Sequence, residues 1–376
     1  MDFSLLTEYL DSQSTAVIPG MDLVVYKDHA PVYRHLFGFK DREAGVKMTG
    51  KEKYWLYSAT KVFTVTAGMQ LIEKGIMSPD DPVSKFLPAF ATLSVNDEGH
   101  IRAPKNPLLV KHLFTMTGGF DYNLERASLK KAIMYSGGKA DTLTMINALA
   151  EEPLCFDPGT HFQYSLCHDV LAAVIEKASG MKFSEYLTRN IFEPLGIKNT
   201  GFKGEDISEF AQQYNWDEKT NVTSILEGGN KNCYRLTENY ESGGAGLYST
   251  VEDYILFADA LACGGVGANG KRILKSESID YMRTDRLTPE QRKEFINHTG
   301  PSYSYGMGVR TVVQPELGCS PKGEFGWDGA ACSYVLCDPE NRLSVFLGMH
   351  IRSFGYGYFT VHHRVKDLVY EALKTK

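Results

Sequence analysis

A serine followed three residues later by a lysine, Ser58-Ala59-Thr60-Lys61, opens the apolar run WLYSATKVFTVTAGMQLIEKG at residues 55 to 75. If that run is a helix, Ser58 lies beside free backbone N–H groups and the positive end of the helix dipole. Lys61, one turn on, projects to the same side. Packing the helix into a core would desolvate its amine and lower its proton affinity, so that a neutral Lys61 could take the Ser58 proton. The plain alternative is a capping serine and a lysine whose stem lies along the surface. Spacing alone does not separate the two, because S-x-x-K recurs at Ser128/Lys131, Ser136/Lys139 and Ser179/Lys182. Context does separate them. Ser128 lies in a charged stretch, Ser136 precedes two glycines and Ser179 closes a helix before Gly180, whereas Ser58 opens a long apolar helix.

Two distant stretches could complete the chemistry. In FDPGTHFQYSL, residues 156 to 166, an Asp-Pro-Gly turn leads into Tyr164 just before a helix. A phenol beside a lysine ammonium loses its proton more easily and could pass protons between nucleophile and leaving group. With 21 tyrosines in the chain, the alternative is a packing residue with a wet hydroxyl. In GEFGWDGAACSYVLCD, residues 323 to 338, glycines flank Trp327 and Asp328 ahead of a strand. Such a turn could present the Ala330 N–H to a bound carbonyl, and with the Ser58 N–H it would make an oxyanion hole. The alternative is a simple glycine turn.

The elements that must position these residues follow from periodicity. MDFSLLTEYLDSQ is an amphipathic helix, and GMDLVVYKDHAPVYRHLFGFKD reads as two strands around a Lys-Asp-His-Ala turn. Residues 80 to 235 read as helices and loops, including VKHLFTMTGGF, DTLTMINALAEEP and HDVLAAVIEKASG, and EDYILFADALACGG is a further helix. YSYGMGVRTVV, AACSYVLCD and RLSVFLGMHI are strand candidates with DPEN as a turn, and VHHRVKDLVYEAL closes the chain as a helix. The expected fold is α+β. One antiparallel sheet flanked by helices is built from both chain ends, residues 1–80 and 236–376, and a mostly helical domain, 81–235, is inserted between them. The site would occupy the cleft between the two.

Composition removes other classes. The 376 residues are 43% hydrophobic and 23% charged, with a net charge of −6 and no basic stripe, which disfavours nucleic acid and anionic membrane surfaces as partners. No apolar run is long enough to span a bilayer, and the acidic N-terminus lacks the pattern of a signal peptide, so a cytoplasmic location is expected. The seven cysteines are scattered, odd in number and free of C-x-x-C, which suits reduced thiols. No H-E-x-x-H motif and no closely spaced Cys/His cluster is present, so neither a metal nor a cofactor is expected. GVGANGKR, residues 265 to 272, follows a helix rather than a strand and reads as a cap and loop, not a phosphate cradle. G-x-S-x-G is absent.

Together Ser58-Ala59-Thr60-Lys61, Tyr164-Ser165-Leu166 and Trp327-Asp328-Gly329 resemble the three motifs of the serine β-lactamase and penicillin-binding-protein superfamily, in particular its class C-like branch with related esterases and D-amino-acid peptidases. VKHLFTMTGGF, GGAGLYSTVEDYILFADAL and YSYGMGV match the same family's style, and the similarity runs from about residue 20 to 350. The resemblance implies a nucleophile at Ser58, a base and proton shuttle at Lys61 and Tyr164, and an oxyanion hole from the Ser58 and Ala330 N–H groups. His298-Thr299-Gly300 is a competing third motif, but it precedes YSYGMGV where the family's third motif follows that strand.

Two departures bear on the substrate. Leu166 stands where the family usually has an asparagine that holds the substrate and the lysine, and Trp327 stands where a cation usually meets a carboxylate. Asp328 would repel an anion if it faced the cleft. Trp-x-Gly occurs among the family's esterases, so Trp327, Asp328, Gly329 and Leu166 are expected to shape the site for a small neutral ester or amide. The resulting expectation is a serine hydrolase working through an acyl-enzyme, esterase-like by preference. The alternatives are a β-lactamase or D-amino-acid peptidase, and a catalytically silent ligand-binding relative. Neither hydrolysis versus acyl transfer nor the oligomeric state follows from sequence.

Overall fold

The structure, a computed structural model, describes residues 1–204 and 206–374, without the side chains of residues 297 and 298. The N-terminal helix α1 (Ser4–Asp11) leads into a hairpin of β1 (Gly20–Lys27) and β2 (Ala30–Asp41), with Asp28 and His29 in left-handed conformation at its tip. A short strand β3 (Val46–Lys47) follows. The chain returns to the same sheet near its end, through β4 (Tyr303–Tyr305), β5 (Arg310–Val312), β6 (Phe325–Gly326), β7 (Tyr334–Asp338) and β8 (Leu343–Met349). The spatial order is β4-β5-β6-β7-β8-β1-β2-β3, with every adjacent pair antiparallel. The pairing Met21↔Met349 through Lys27↔Leu343 joins the two chain ends, as expected from sequence.

Alternation explains both faces of the sheet. Leu23, Val25, Val345 and Leu347 face one core with Leu6 and Leu10 of α1 and Val365, Leu368 and Val369 of the C-terminal helix. Val24, Val335 and Phe346 face a second core, which runs through the helices between the two halves of the sheet. Those helices include α2 (Thr60–Glu73), α3 (Cys167–Ser179, closed by left-handed Gly180) and α4 (Val251–Ala262); α5 (His362–Lys374) ends the described chain. Every residue of α2 from Thr60 to Leu71 is buried, so this helix is a central beam rather than an amphipathic surface helix. It packs against α3.

Two details differ from the sequence reading. YSYGMGVRTVV is not one strand, because Gly306-Met307-Gly308 folds it into the β4–β5 hairpin. The segment read as helical and loopy also holds an antiparallel pair, Tyr214–Asp217 and Val222–Ile225, which joins Ile351–Arg352 in a second small sheet. Its alternation is short and polar, so hydrophobic periodicity did not mark it. No helix among the described residues is long and apolar enough to cross a membrane.

Candidate active site

Ser58 lies not in α2 itself but in the tight 3-10 turn that feeds it, Tyr57–Ala59. Tyr57 takes a left-handed φ of 47°, an unfavourable conformation for a residue with a ring on Cβ. Surrounding bonds hold it there. The Tyr57 hydroxyl donates to Gln213 and accepts from Arg352, Leu56 N–H donates to Leu247, and Tyr254 donates to the Ala59 carbonyl at 2.8 Å. The result is a half-buried Ser58 on a fixed turn at the cavity wall, followed by Lys61 in the first turn of α2.

Tyr164 reaches the same point from the other side. Asp157, in the turn before it, accepts both Nη atoms of Arg102 and the Lys105 N–H, and this anchors the segment. Gln163 N–H donates to Met116 and Leu166 N–H to Asp121, which clamps Tyr164 between two backbone bonds. Its hydroxyl donates to Ser58 Oγ at 2.6 Å. Lys61 Nζ lies 3.2 Å from Ser58 Oγ, 3.2 Å from the Tyr122 hydroxyl and 2.6 Å from the Gly244 carbonyl. Three partners suit either form of the side chain. An ammonium donates to all three, while an amine donates to Gly244 and Tyr122 and accepts from Ser58, so the proton can move without the side chain moving.

Burial decides the charge. Lys61 is fully buried, and desolvation lowers its pKa from the usual lysine value to about 7, with Asp169 and then Cys167 opposing the shift. Burial pushes the Tyr164 phenol above its ordinary value, although its bonds to Ser58 and Trp327 pull the other way. Near neutral pH the site therefore offers a titrating amine and a neutral phenol.

The third stretch closes the site. Trp327 lines the cavity, and its indole N–H donates to the Tyr164 hydroxyl at 3.2 Å. Tyr122, Tyr164 and Trp327 form a stack, with successive centroids 5.5 Å apart. Gly329 presses against the backbone before the nucleophile: a Cβ there would meet the Leu56 carbonyl at 2.2 Å. Its N–H donates to Ser333 and its carbonyl accepts from Tyr358, so the loop carrying Ala330 is pinned beside the Ser58 turn.

The structure thus gathers Ser58, Tyr164, Trp327, Asp328, Gly329 and Ala330 on one cavity of about 430 Å³, with Lys61 directly behind Ser58. Leu166 does not join them. Its side chain is buried in the core, and the residue takes the cap position at the start of α3, just before Cys167. Tyr122, which no sequence pattern had singled out, supplies a hydroxyl to Lys61. Asp328 lines the cavity but is not a free anion: Arg310 pairs with it at 2.8 Å and holds its carboxyl below the usual value against the effect of burial.

His298 lies outside the described residues as far as its side chain is concerned, and its tripeptide ends the helix Pro289–Thr299 rather than following β4 and β5. Ser128, Ser136 and Ser179 are absent from the cavity wall. All seven cysteines are unpaired. His29, Asp259 and Cys263, far apart in sequence, do meet in space, with His29 Nδ1 2.7 Å from Asp259 Oδ2, but none of them lines the cavity.

Comparison with known proteins fits this geometry. A family model described as Beta-lactamase matches residues 5–357. The chain is 28% identical to esterase EstB of Burkholderia gladioli over 352 residues, covering 87% of this chain and 85% of that protein. It is 27% identical to a putative D-alanyl-D-alanine carboxypeptidase of Escherichia coli over 377 residues, covering 91% and 80%. Among solved structures, EstCE1, a hydrolase with promiscuous acyltransferase activity, superposes with a TM-score of 0.81 at 23% identity over 98% of both chains.

Proposed function

The chain belongs to the beta-lactamase family and is a serine hydrolase, and from that premise we propose that it is an esterase in which Ser58 is acylated by a small, uncharged ester. The observation that carries this reading is a Ser58 Oγ held 2.6 Å from a neutral phenol and 3.2 Å from a buried lysine with a pKa of about 7. We also propose the two-part division expected from sequence as the frame of the site. Ser58 and Lys61 come from the 1–80 part, and Tyr122 and Tyr164 from the 81–235 part.

In the proposed cycle, Ser58 Oγ attacks the ester carbonyl while its proton passes to the Lys61 amine. The carbonyl oxygen, now an anion, is received by the Ser58 and Ala330 N–H groups. The C–O bond to the alcohol breaks, and the leaving oxygen takes the Tyr164 proton, which the Lys61 ammonium replaces. A water or a second alcohol then attacks the acyl-enzyme, gives its proton to Lys61, and Ser58 Oγ leaves reprotonated. Trp327 holds the Tyr164 oxygen in line throughout.

Esters are favoured over carboxylate-bearing amides by the polar contents of the cavity. Arg310 is committed to Asp328 at 2.8 Å and Glu324 at 3.5 Å, Lys366 donates to the Tyr303 hydroxyl at 3.3 Å, and Trp327 carries no charge. Phe162, Tyr234, Trp327 and Phe359 offer apolar walls to the acyl or alcohol part. The likeness to a putative carboxypeptidase supports the second reading, a D-amino-acid peptide or amide.

One substrate series decides between them: p-nitrophenyl esters of graded chain length, a chromogenic cephalosporin and D-alanyl peptides. The expected result is ester turnover, with fluorophosphonate labelling of Ser58 and loss of both in Ser58→Ala. Ester turnover that survives Ser58→Ala removes the assignment. Faster turnover of peptides or cephalosporin replaces the substrate class. Failure of every acylating reagent to label Ser58 favours a silent binding protein.

A further inference from the structure

Asp169 stands in the first turn of α3 with no exposure to solvent. Its Oδ1 accepts from the Tyr240 hydroxyl at 2.7 Å and from Ser242 Oγ at 2.5 Å. Its Oδ2 has no hydrogen-bond partner. Burying a carboxylate on two neutral donors, with one oxygen bare, costs several kcal/mol in general, so a cation is expected close by. No ion pair reaches Asp169 among the described residues.

The bare oxygen faces the peptide that holds Lys61. A Cβ on Gly244 would lie 2.4 Å from Asp169 Oδ2 and 3.0 Å from the Tyr122 hydroxyl. The Gly244 carbonyl accepts from Lys61 Nζ at 2.6 Å. Asp169 and Lys61 thus lie on two sides of one glycine, close enough for charge to act and too far apart to pair. The other titratable groups packed around them are Tyr122, Tyr164, Tyr234 and Tyr240, whose phenols burial keeps neutral, together with Cys167, also raised by burial, and His168, held neutral with a pKa of about 3. Asp169 is the carboxylate among them.

We propose that Asp169 is a positioning residue for catalysis, the counter-ion across the Gly244 peptide that holds on Lys61 the proton taken from Ser58. Before attack the pair carries one buried negative charge. After the proton moves, the ammonium compensates that charge, so the bare oxygen favours the proton-transferred state at each turnover. A fixed charge behind the base does this without occupying the side on which substrate binds. Gly244 is required because any side chain there would occupy the carboxylate's place.

The inference rests on the esterase reading for its catalytic consequence, but its electrostatic core can be tested without turnover. In Ser58→Ala protein labelled with 13C-lysine, the Lys61 signal is titrated by NMR with and without Asp169→Asn. The expected result is at least a tenfold lower proton affinity of Lys61 in the asparagine variant, and an unmoved titration overturns the proposal. In the active protein, Asp169→Asn should shift the acidic limb of the kcat/KM profile to lower pH and lower the plateau, because a weaker base remains. A lower plateau with an unmoved limb is the signature of a merely structural residue and also overturns it.

If Asp169→Asn does not fold, Tyr240→Phe decides alone. It leaves the carboxylate and removes one bond that disperses its charge, so the limb should move slightly to higher pH, and an unmoved or downward limb rejects the proposal. Ester turnover surviving Ser58→Ala would remove the esterase reading, while the NMR titration would still judge Asp169.

Discussion

Two buried lysines stand by the same cavity, and they are opposites. Lys61 has only neutral partners in contact, a serine, a phenol and a peptide carbonyl, and desolvation takes its pKa down to about 7. Lys366, on α5, is almost as buried, and desolvation acts on it too, but the Tyr303 oxygen at 3.3 Å, the Glu324 carboxyl and Cys319 outweigh burial and hold it above the ordinary lysine value. Burial alone therefore does not make a base. A buried amine becomes one where no carboxylate pairs with it: Asp367 lies 3.8 Å from Lys366 Nζ, whereas the Gly244 peptide stands between Asp169 and Lys61.

The largest test of this contrast is Lys61→Met. Losing a general base costs about 10²–10⁴-fold, so kcat/KM should fall by about 10³-fold while the protein, relieved of a buried amine, keeps its fold. Ester kinetics and a thermal melt check both halves. A loss under tenfold would mean that Tyr164 alone takes the proton.

The pH profile sharpens the same point. Lys61 acts as a base only when deprotonated, so kcat/KM should rise with pH to a plateau, with its acidic limb at about 7. Below the limb the slope should approach tenfold per pH unit. Lys366, held above its ordinary value, stays charged through this range and contributes no limb. A profile flat from pH 5 to 8 would show that Lys61 does not titrate as the base.

Much of this site was legible in the sequence, for unequal reasons. Ser58 and Lys61 stood out because a polar pair opens an otherwise apolar helix, and Tyr164 because an Asp-Pro-Gly turn precedes it. Trp327 was legible as a replaced cation but not as the donor that holds Tyr164, since a hydrogen bond across 163 residues leaves no local signal. Tyr122 was one tyrosine among many, and Asp169 read as an ordinary first-turn acid in HDVLAAVIEKASG. Gly244 was noticed only as part of a family-like stretch, because its role depends on which carboxylate lies opposite. Leu166 was placed in the site by its motif, yet the structure turns it into the core. The fold followed from periodicity where segments were long, as in the β1–β2 hairpin and β8, and failed where they were short and polar, as at Tyr214–Asp217.

Leu166→Asn tests that last correction with a smaller effect. Restoring the family's asparagine puts an amide in an apolar setting, at about 1–3 kcal/mol of stability. Urea unfolding should show that loss, and cephalosporin turnover should not rise. Trp327→Phe is smaller again. It keeps the aromatic stack and removes the N–H that holds Tyr164, for about 1 kcal/mol or roughly fivefold in kcat. Equal kcat in the two proteins would mean that stacking alone fixes the phenol.

The smallest effect is expected at the other lysine. Lys366→Met removes a cation that touches Tyr303 and stands near Glu324, whose carboxyl burial already pushes above its usual value. The lost charge should raise that carboxyl further and so weaken the pair it makes with Arg310 at 3.5 Å. Arg310 keeps its bond to Asp328, and no bond to Ser58, Tyr164 or Lys61 changes. The kcat for a neutral ester should therefore stay within about threefold, a change in barrier of about 0.6 kcal/mol. If KM for an ester bearing a distal carboxylate rises in Lys366→Met while KM for its neutral analogue does not, this end of the cavity reads charge and the Lys61 end performs chemistry. If instead kcat for the neutral ester falls as far as it does in Lys61→Met, the two lysines share one function, and the distance of the carboxylate is not what separates a base from a structural cation.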